Sequence, residues 1–235
     1  GSGSEGGSGT VAKYHLPDEE LQNSEPFAVY DPQTHGITII RMTKDADGVY
    51  RFEDYAVAES DLTPKTQYYD IYTDPDTGLL YHRMTKLETE DLSNSSSSSL
   101  YPWGYDYTIR SEATSFTMKG GFKPSAGYQM FYFLRKLTKM DVSMLDTSRF
   151  TRMYDSFRYL DNLKELDLRM LDTSNVTEMC GMFAYCERLE TLLVDFDTTN
   201  VTTMDSMFRS CYKLKALDLS SFHTPNVEDF GGMFE

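Results

Sequence analysis

The stretch LDTSNVTEMCGMF, residues 171–183, decides the fold because the chain writes it more than once. It returns as FDTTNVTTMDSMF at 196–208 and, altered, as FHTPNVEDFGGMF at 222–234. The closing phenylalanines belong to a longer series, Phe131, Phe157, Phe183, Phe208 and Phe234, with steps of 26, 26, 25 and 26. Six residues after each of the first four begins an apolar triplet with the spacing L-x-x-L-x-L. The triplets are Leu137/Met140/Val142, Leu163/Leu166/Leu168, Leu189/Leu192/Val194 and Leu214/Leu217/Leu219, each followed by a threonine: Thr147, Thr173, Thr198 and Thr224. A fixed period with fixed internal offsets marks a repeat architecture, in which one unit cannot bury its apolar face alone and neighbours cover each other.

Each unit reads as two elements. The L-x-x-L-x-L segment predicts a short strand with alternate side chains buried. The segment TSNVTEMCGMFAYC predicts a short helix capped by Thr173 or Ser174, because Val176, Met179, Met182, Phe183 and Cys186 fall on one helical face. The expected fold class is therefore α/β: a solenoid of 25–26-residue coils, each a short strand plus a short helix, over residues 131–235.

The units LDLRMLDTSNVTEMCGMFAYCERL and LDLSSFHTPNVEDFGGMF resemble the BspA-type leucine-rich repeats of bacterial surface proteins. The likeness is strong over residues 131–235, and the lead-in YPWGYDYTIRSEATSFTMKGGFKPSAGYQMFYFL resembles the segment that precedes such repeats. Leu134 and Leu160 stand where the repeat has cysteine, the coil at 195–199 is one residue short, and His223 replaces an aspartate. The resemblance implies a non-enzymatic, extracellular protein at a bacterial cell surface. Its implied role is adhesion or protein–protein binding, with a host or bacterial surface protein or glycan as partner. Two other readings remain: a structural spacer, or an accessory segment of a larger surface enzyme.

Ahead of the repeats, residues 26–92 predict a β-rich N-terminal cap. The turn signals DPQTHG, DADG and DPDTG separate runs rich in β-branched and aromatic residues. YDPQTHGITIIRMTK (30–44) and YTDPDTGLLYHRMTK (72–86) echo each other at an offset of 42, which predicts two related hairpins. Residues 1–25, opening GSGSEGGSGT, read as a flexible linker or stalk, and 93–100 as a Ser-rich linker. Residues 101–130 read as strands leading into the solenoid. The chain ends at GGMFE, part-way through a repeat, and reads as a piece of a longer protein; wall or membrane anchoring is expected only through segments outside it.

The chain has 235 residues, 40% of them apolar and 14% aromatic, enough to bury a core. Its net charge is −15: residues 1–93 hold 18 acids against 7 bases, and the remainder 19 against 15. Such a balance argues against nucleic acid as a partner. No catalytic signature is present, and neither a cofactor nor a metal is expected. Asp45/Asp47/Gly48 and Asp74/Asp76/Gly78 faintly resemble calcium loops, but turns need the same residues. The cysteines number three; Cys186 and Cys211 occupy equivalent places in adjacent coils, so small buried residues or a disulfide both fit. Asn175 and Asn200 match a glycosylation pattern, but their place in the repeat predicts bonds to the backbone of the turn. Trp103 with Tyr101, Tyr105 and Tyr107 suits either a ligand platform or cap packing.

What remains is the outward face of the strands. Between the buried positions lie Lys139/Asp141, Glu165/Asp167, Thr191/Leu193 and Ala216/Asp218. Asp141, Glu165, Asp167 and Asp218 are the candidate partner-binding residues, a ladder suited to a basic or hydrogen-bonding partner.

Overall fold

The computed structural model describes residues 11–229 and 231–235. Its elements run α1 (Asp18–Asn23), β1 (Glu25–Asp31), β2 (Gly36–Lys44), β3 (Val49–Phe52), β4 (Tyr55–Ala58), β5 (Thr63–Pro64), β6 (Asp70–Thr73), β7 (Leu80–Arg83), α2 (Thr85–Thr89), α3 (Pro102–Tyr105), α4 (Tyr107–Glu112), β8 (Ser115–Met118), β9 (Lys139–Met140), β10 (Glu165–Asp167) and β11 (Thr191–Leu193). A mostly antiparallel sheet, curled as a half-barrel, dominates; its order is β4-β3-β2-β1-β7-β6-β5. The two echoing stretches form the hairpins β1–β2 and β6–β7, joined through β1 and β7. Each turn is set by an aspartate: Asp31 Oδ1 accepts from Gln33 N at 2.9 Å, and Asp74 Oδ1 from Asp76 N at 2.8 Å.

The expected α/β leucine-rich-repeat solenoid is not what this chain builds. Among the described residues the α-helices number four; all precede residue 113, and none is longer than six residues. The segments read as one helix per coil are extended turns, and the cause lies in the backbone. Each coil holds two residues in the left-handed region, four apart: Gln129/Phe133, Asp155/Tyr159, Gly181/Tyr185 and Ser206/Ser210. A right-handed helix cannot pass through such residues. Instead, alternate N–H groups leave the coil. Asp155 N, Phe157 N and Tyr159 N donate to the carbonyls of Cys180, Met182 and Ala184, and Gly181 N, Phe183 N and Tyr185 N donate to those of Asp205, Met207 and Arg209, all between 2.8 and 3.0 Å. Bonds between coils replace the bonds a helix would have made within one.

The strand half of the unit forms in three of the four: β9, β10 and β11; in the fourth, among the described residues, Ala216 makes only an isolated bridge to Thr191, and Leu214, Leu217 and Leu219 are half-buried. β10 and β11 pair in parallel, with Leu166 opposite Leu192, and Leu163, Leu166, Leu168, Leu189 and Leu192 are buried. The repeated phenylalanines form one column. Ring centroids lie 5.4 Å apart for Phe131–Phe157, 5.6 Å for Phe157–Phe183 and Phe183–Phe208, and 5.4 Å for Phe208–Phe234. Trp103 continues the column on the cap side, 5.9 Å from Phe131, with its Nε1–H donating to Met130 O at 2.7 Å. Trp103 and Tyr101 thus pack the cap, as one of the two expected readings had it.

Polar ladders run beside the column. Asn175, Asn200 and Asn226 each donate from Nδ2 to a carbonyl one coil back, Ser148, Ser174 and Thr199, all at 2.8 Å. Thr147, Thr173 and Thr198 are buried and donate to Asp172 O, Asp197 O and His223 O of the next coil at 2.7, 2.9 and 2.7 Å. Thr173 therefore caps no helix; its hydroxyl joins two coils. Burial without a partner would cost each such group about 1–3 kcal/mol.

Three linking segments differ from expectation. The first ten residues of the expected linker at 1–25 lie outside the described residues, but from Val11 the chain is a strap across the coils. Lys13 Nζ donates to Arg169 O and Asp195 O at 2.8 and 2.6 Å, Tyr14 N to Met170 O at 2.9 Å, and Leu16 N to Asp146 Oδ2 at 2.8 Å, with Leu16 buried. The Ser-rich stretch 93–100 is irregular but tethered: Leu92 N donates to Ser125 Oγ at 2.7 Å, and Thr151 Oγ1 to Ser93 O at 3.3 Å. Residues 101–130, expected as strands, hold α3, α4 and only β8. Asp106 converts the alternating stretch at 107–112 into helix by accepting from Thr108 N at 2.9 Å and Ile109 N at 3.2 Å. β8 then pairs in parallel with both β2 and β9, so the cap sheet passes directly into the repeats.

Candidate functional site

Of the four ladder carboxylates, two lie on a strand and two just beyond strand or bridge residues. Glu165 and Asp167 lie on β10, opposite Thr191 and Leu193 of β11, and Ala216 bridges to Thr191. Asp141 follows β9, and Asp218 follows the Ala216 bridge. Glu165 and Asp218 are exposed; Asp141 and Asp167 are half-buried.

Most of these groups also have a local task. Oδ1 of Asp141, Asp167 and Asp218 accepts from the backbone N–H two residues on, at Ser143, Arg169 and Ser220, at 2.8, 3.1 and 2.9 Å. Asp146, Asp172 and Asp197 repeat the device at the next corner, with Ser148, Ser174 and Thr199 at 3.0 Å. The aspartates are thus turn-formers first. Arg169 also pairs with Asp167 at 2.8 Å, and its hydrogen bond holds that carboxyl below its ordinary range; bonds from Ser220 do the same for Asp218. A hollow of about 320 Å³ opens beside them, lined by Arg169, Leu193, Asp195 and Asp218 among others. The face carries both signs of charge.

A second row was not foreseen. Phe133, Tyr159 and Tyr185 stack at 4.4 and 4.7 Å, and all three are left-handed. Guanidiniums cover them. Arg135 lies 4.9 Å from the Phe133 centroid and 4.8 Å from that of Tyr159, Arg158 lies 5.3 and 5.1 Å from Tyr159 and Tyr185, and Arg209 lies 5.7 Å from Tyr185. Such pairs contribute roughly 0.5–1 kcal/mol each at exposed sites. The signal was present as an aromatic two residues beyond each of Phe131, Phe157 and Phe183. Near this row, Tyr107, Arg110 and Ser111 of α4 meet Tyr132, Phe133, Arg135 and Lys136 around a basin of about 490 Å³.

Asp45 and Asp74 form turns, and among the described residues no cluster of metal-ligating side chains exists. All three cysteines are free. Sγ of Cys186 and Cys211 donates to Phe157 O and Phe183 O at 3.1 and 3.0 Å. Burial pushes the Cys180 and Cys211 thiols up to about 12 and the Cys186 thiol well above its usual range, the opposite of what a nucleophile needs. His82 is fully buried, its Nδ1 against Ala28 O at 3.0 Å and its Nε2 without a partner.

Residues 126–235, a little under half of the chain, match a family model described as a Mycoplasma protein of unknown function, DUF285. No curated protein and no solved structure matches the chain.

Proposed function

We propose that this chain is a non-enzymatic binding module on the outside of a bacterial cell, holding a host or bacterial surface protein or glycan. The cell-surface part of the reading rests on the resemblance of the repeats to those of BspA-type surface proteins. The match of the same residues to a family described from Mycoplasma agrees with a bacterial source.

One structural observation supports binding in particular. The coils present equivalent positions in register, so that side chains fall into rows: Glu165/Thr191 and Asp167/Leu193 on one face, where all but Asp167 are exposed, and the half-buried Phe133/Tyr159/Tyr185 in another. A row of this kind offers an extended partner the same contact several times, and weak contacts then add.

The test is binding of the full chain to immobilised matrix proteins, glycans and whole cells. Asp167→Asn with Asp218→Asn removes two charges while keeping the carbonyl oxygen each turn needs, so the fold persists. Saturable binding that weakens about tenfold in this variant places the partner on the acidic ladder. Saturable binding that does not change moves the site elsewhere. No saturable binding to any surface overturns the reading and leaves a spacer.

A further inference from the structure

We propose that the basin between α4 and the first repeat takes an acidic peptide segment of a partner protein, an apolar side chain inserted and its carboxylates on Arg110, Arg135 and Lys136. This rests on, and narrows, the binding-module reading. It is a different surface from the acidic ladder.

Charge is the first argument. The chain carries −15, yet the basin is lined by three cations, three aromatic rings and Ser111, with no carboxylate among its lining residues. In an acidic protein, an apolar hollow lined by three cations and no carboxylate suits an anion with an apolar part.

Preorganisation is the second. The Arg110 guanidinium lies over the Tyr107 ring at 5.6 Å, and its Nη1 donates to Gly104 O at 3.2 Å. The Arg135 guanidinium rests against the stacked pair of Phe133 and Tyr159, with Nε 3.2 Å from Asp161 Oδ2. Each is anchored through one nitrogen and keeps other donors of its five, and that partial ordering lowers the entropy cost of binding. Lys136 is exposed and has no ion-pair partner among the described residues.

Exposed apolar surface is the third. Tyr107 is 71% exposed and its neighbour Tyr105 47%, two of the few large apolar side chains left open to water. Tyr, Phe and Arg around a pocket are the residue types that dominate protein-binding hot spots. A volume of about 490 Å³ suits one aromatic or aliphatic anchor with flanking backbone, within the span of about 300–1,000 Å³ common to ligand pockets.

The probes are blocked pentapeptides, Glu-Glu-Phe-Glu-Glu, Glu-Glu-Ala-Glu-Glu and Lys-Lys-Phe-Lys-Lys, titrated into the full chain and followed by backbone amide shifts. The first is expected to move amides at 107–111 and 132–136, the second weakly and the third not at all. Arg110→Glu with Lys136→Glu is expected to weaken the first about tenfold or more, as is raised salt. Shifts elsewhere, equal shifts with the lysine peptide, or unchanged affinity in the variant overturn the proposal. So does a sialylated or sulfated glycan that moves the same amides while the peptide does not. If whole-cell binding is equal in wild type and variant, this inference fails and the module reading stands. If the peptide binds the basin but no cell or matrix surface is bound, the module reading fails and the basin stands.

Discussion

Ser206→Gly separates a helix from a left-handed coil by sign alone. Ser206 sits at φ +56°, in the place that Gly181 and Gly232 fill in the flanking coils at +59° and +63°. Its hydroxyl makes no hydrogen bond among the described residues, while its N–H donates to Gly231 O at 2.9 Å, a bond glycine keeps. A side chain in the left-handed region costs roughly 1–2 kcal/mol, which glycine relieves. Glycine's looser unfolded chain returns roughly 0.5–1 kcal/mol of that. The variant is therefore expected to be more stable by about 0.5–1 kcal/mol, raising Tm by about 2 °C for a chain of this size. In a helix the same change would destabilise by about 0.5 kcal/mol. Urea and thermal unfolding read the sign. The companion Gly181→Ala should lose at least about 1–2 kcal/mol, since its Cβ would meet Asp155 Oδ1 at 2.3 Å as well as carry the φ penalty. A destabilised Ser206→Gly, or a neutral Gly181→Ala, would refute the coil geometry.

Two further outcomes follow from buried groups. Burial lowers His82 from 6.5 to about 4, so below pH 6.5 the unfolded chain takes up a proton that the folded chain refuses. Stability from this group is complete above pH 6.5 and falls as pH drops toward 4, by about 3 kcal/mol in all; His82→Phe should flatten unfolding free energy measured across that window, and an unchanged slope would count against it. Thr173→Val preserves shape but strands Asp197 O, which the hydroxyl reaches at 2.9 Å; a loss of about 1–2 kcal/mol is expected in urea unfolding, and no loss would mean that water or another donor fills the place.

The repeat was legible because its period is written in large, unambiguous residues. The phenylalanine column, the asparagine ladder and the buried leucines of β10 and β11 follow from offsets alone. The helix was misread because Val176, Met179, Met182, Phe183 and Cys186 satisfy a helical period and are also all buried in the extended coil. The discriminating signal was the position holding Gln129, Asp155, Gly181, Ser206 and Gly232, polar or glycine in every coil, where a helix favours alanine or leucine. The acidic ladder was legible as an outward face, but the sequence shows charge before it shows task. Asp141, Asp146, Asp172 and Asp218 each precede a serine by two residues, the spacing of a side-chain turn, and that was the stronger reading. The strap at 11–17 had no signal at all: its bonds reach residues more than 120 positions away and use mostly backbone and carboxylate groups.

The cap explains why the repeats can start where they do. A coil of this kind leaves N–H and C=O groups pointing along the stack, and an end coil must find partners for them. The cap supplies these in the repeats' own terms. β8 accepts β9 in the parallel register that β10 later offers β11, with Thr138 N donating to Thr114 O and Asp141 N to Phe116 O, both at 2.8 Å, much as Glu190 N donates to Lys164 O. Trp103 meets Phe131 at 10° between planes, as Phe183 meets Phe208 at 8°. Lys13 and Tyr14 then reach past the first coils to Arg169, Met170 and Asp195. An antiparallel sheet thus ends in a face that imitates one repeat. The imitation stops at α4, which has no counterpart in the later coils. That mismatch, helix against coil, leaves the basin of Tyr107, Arg110 and Lys136 open at the junction, where no following repeat could have filled it.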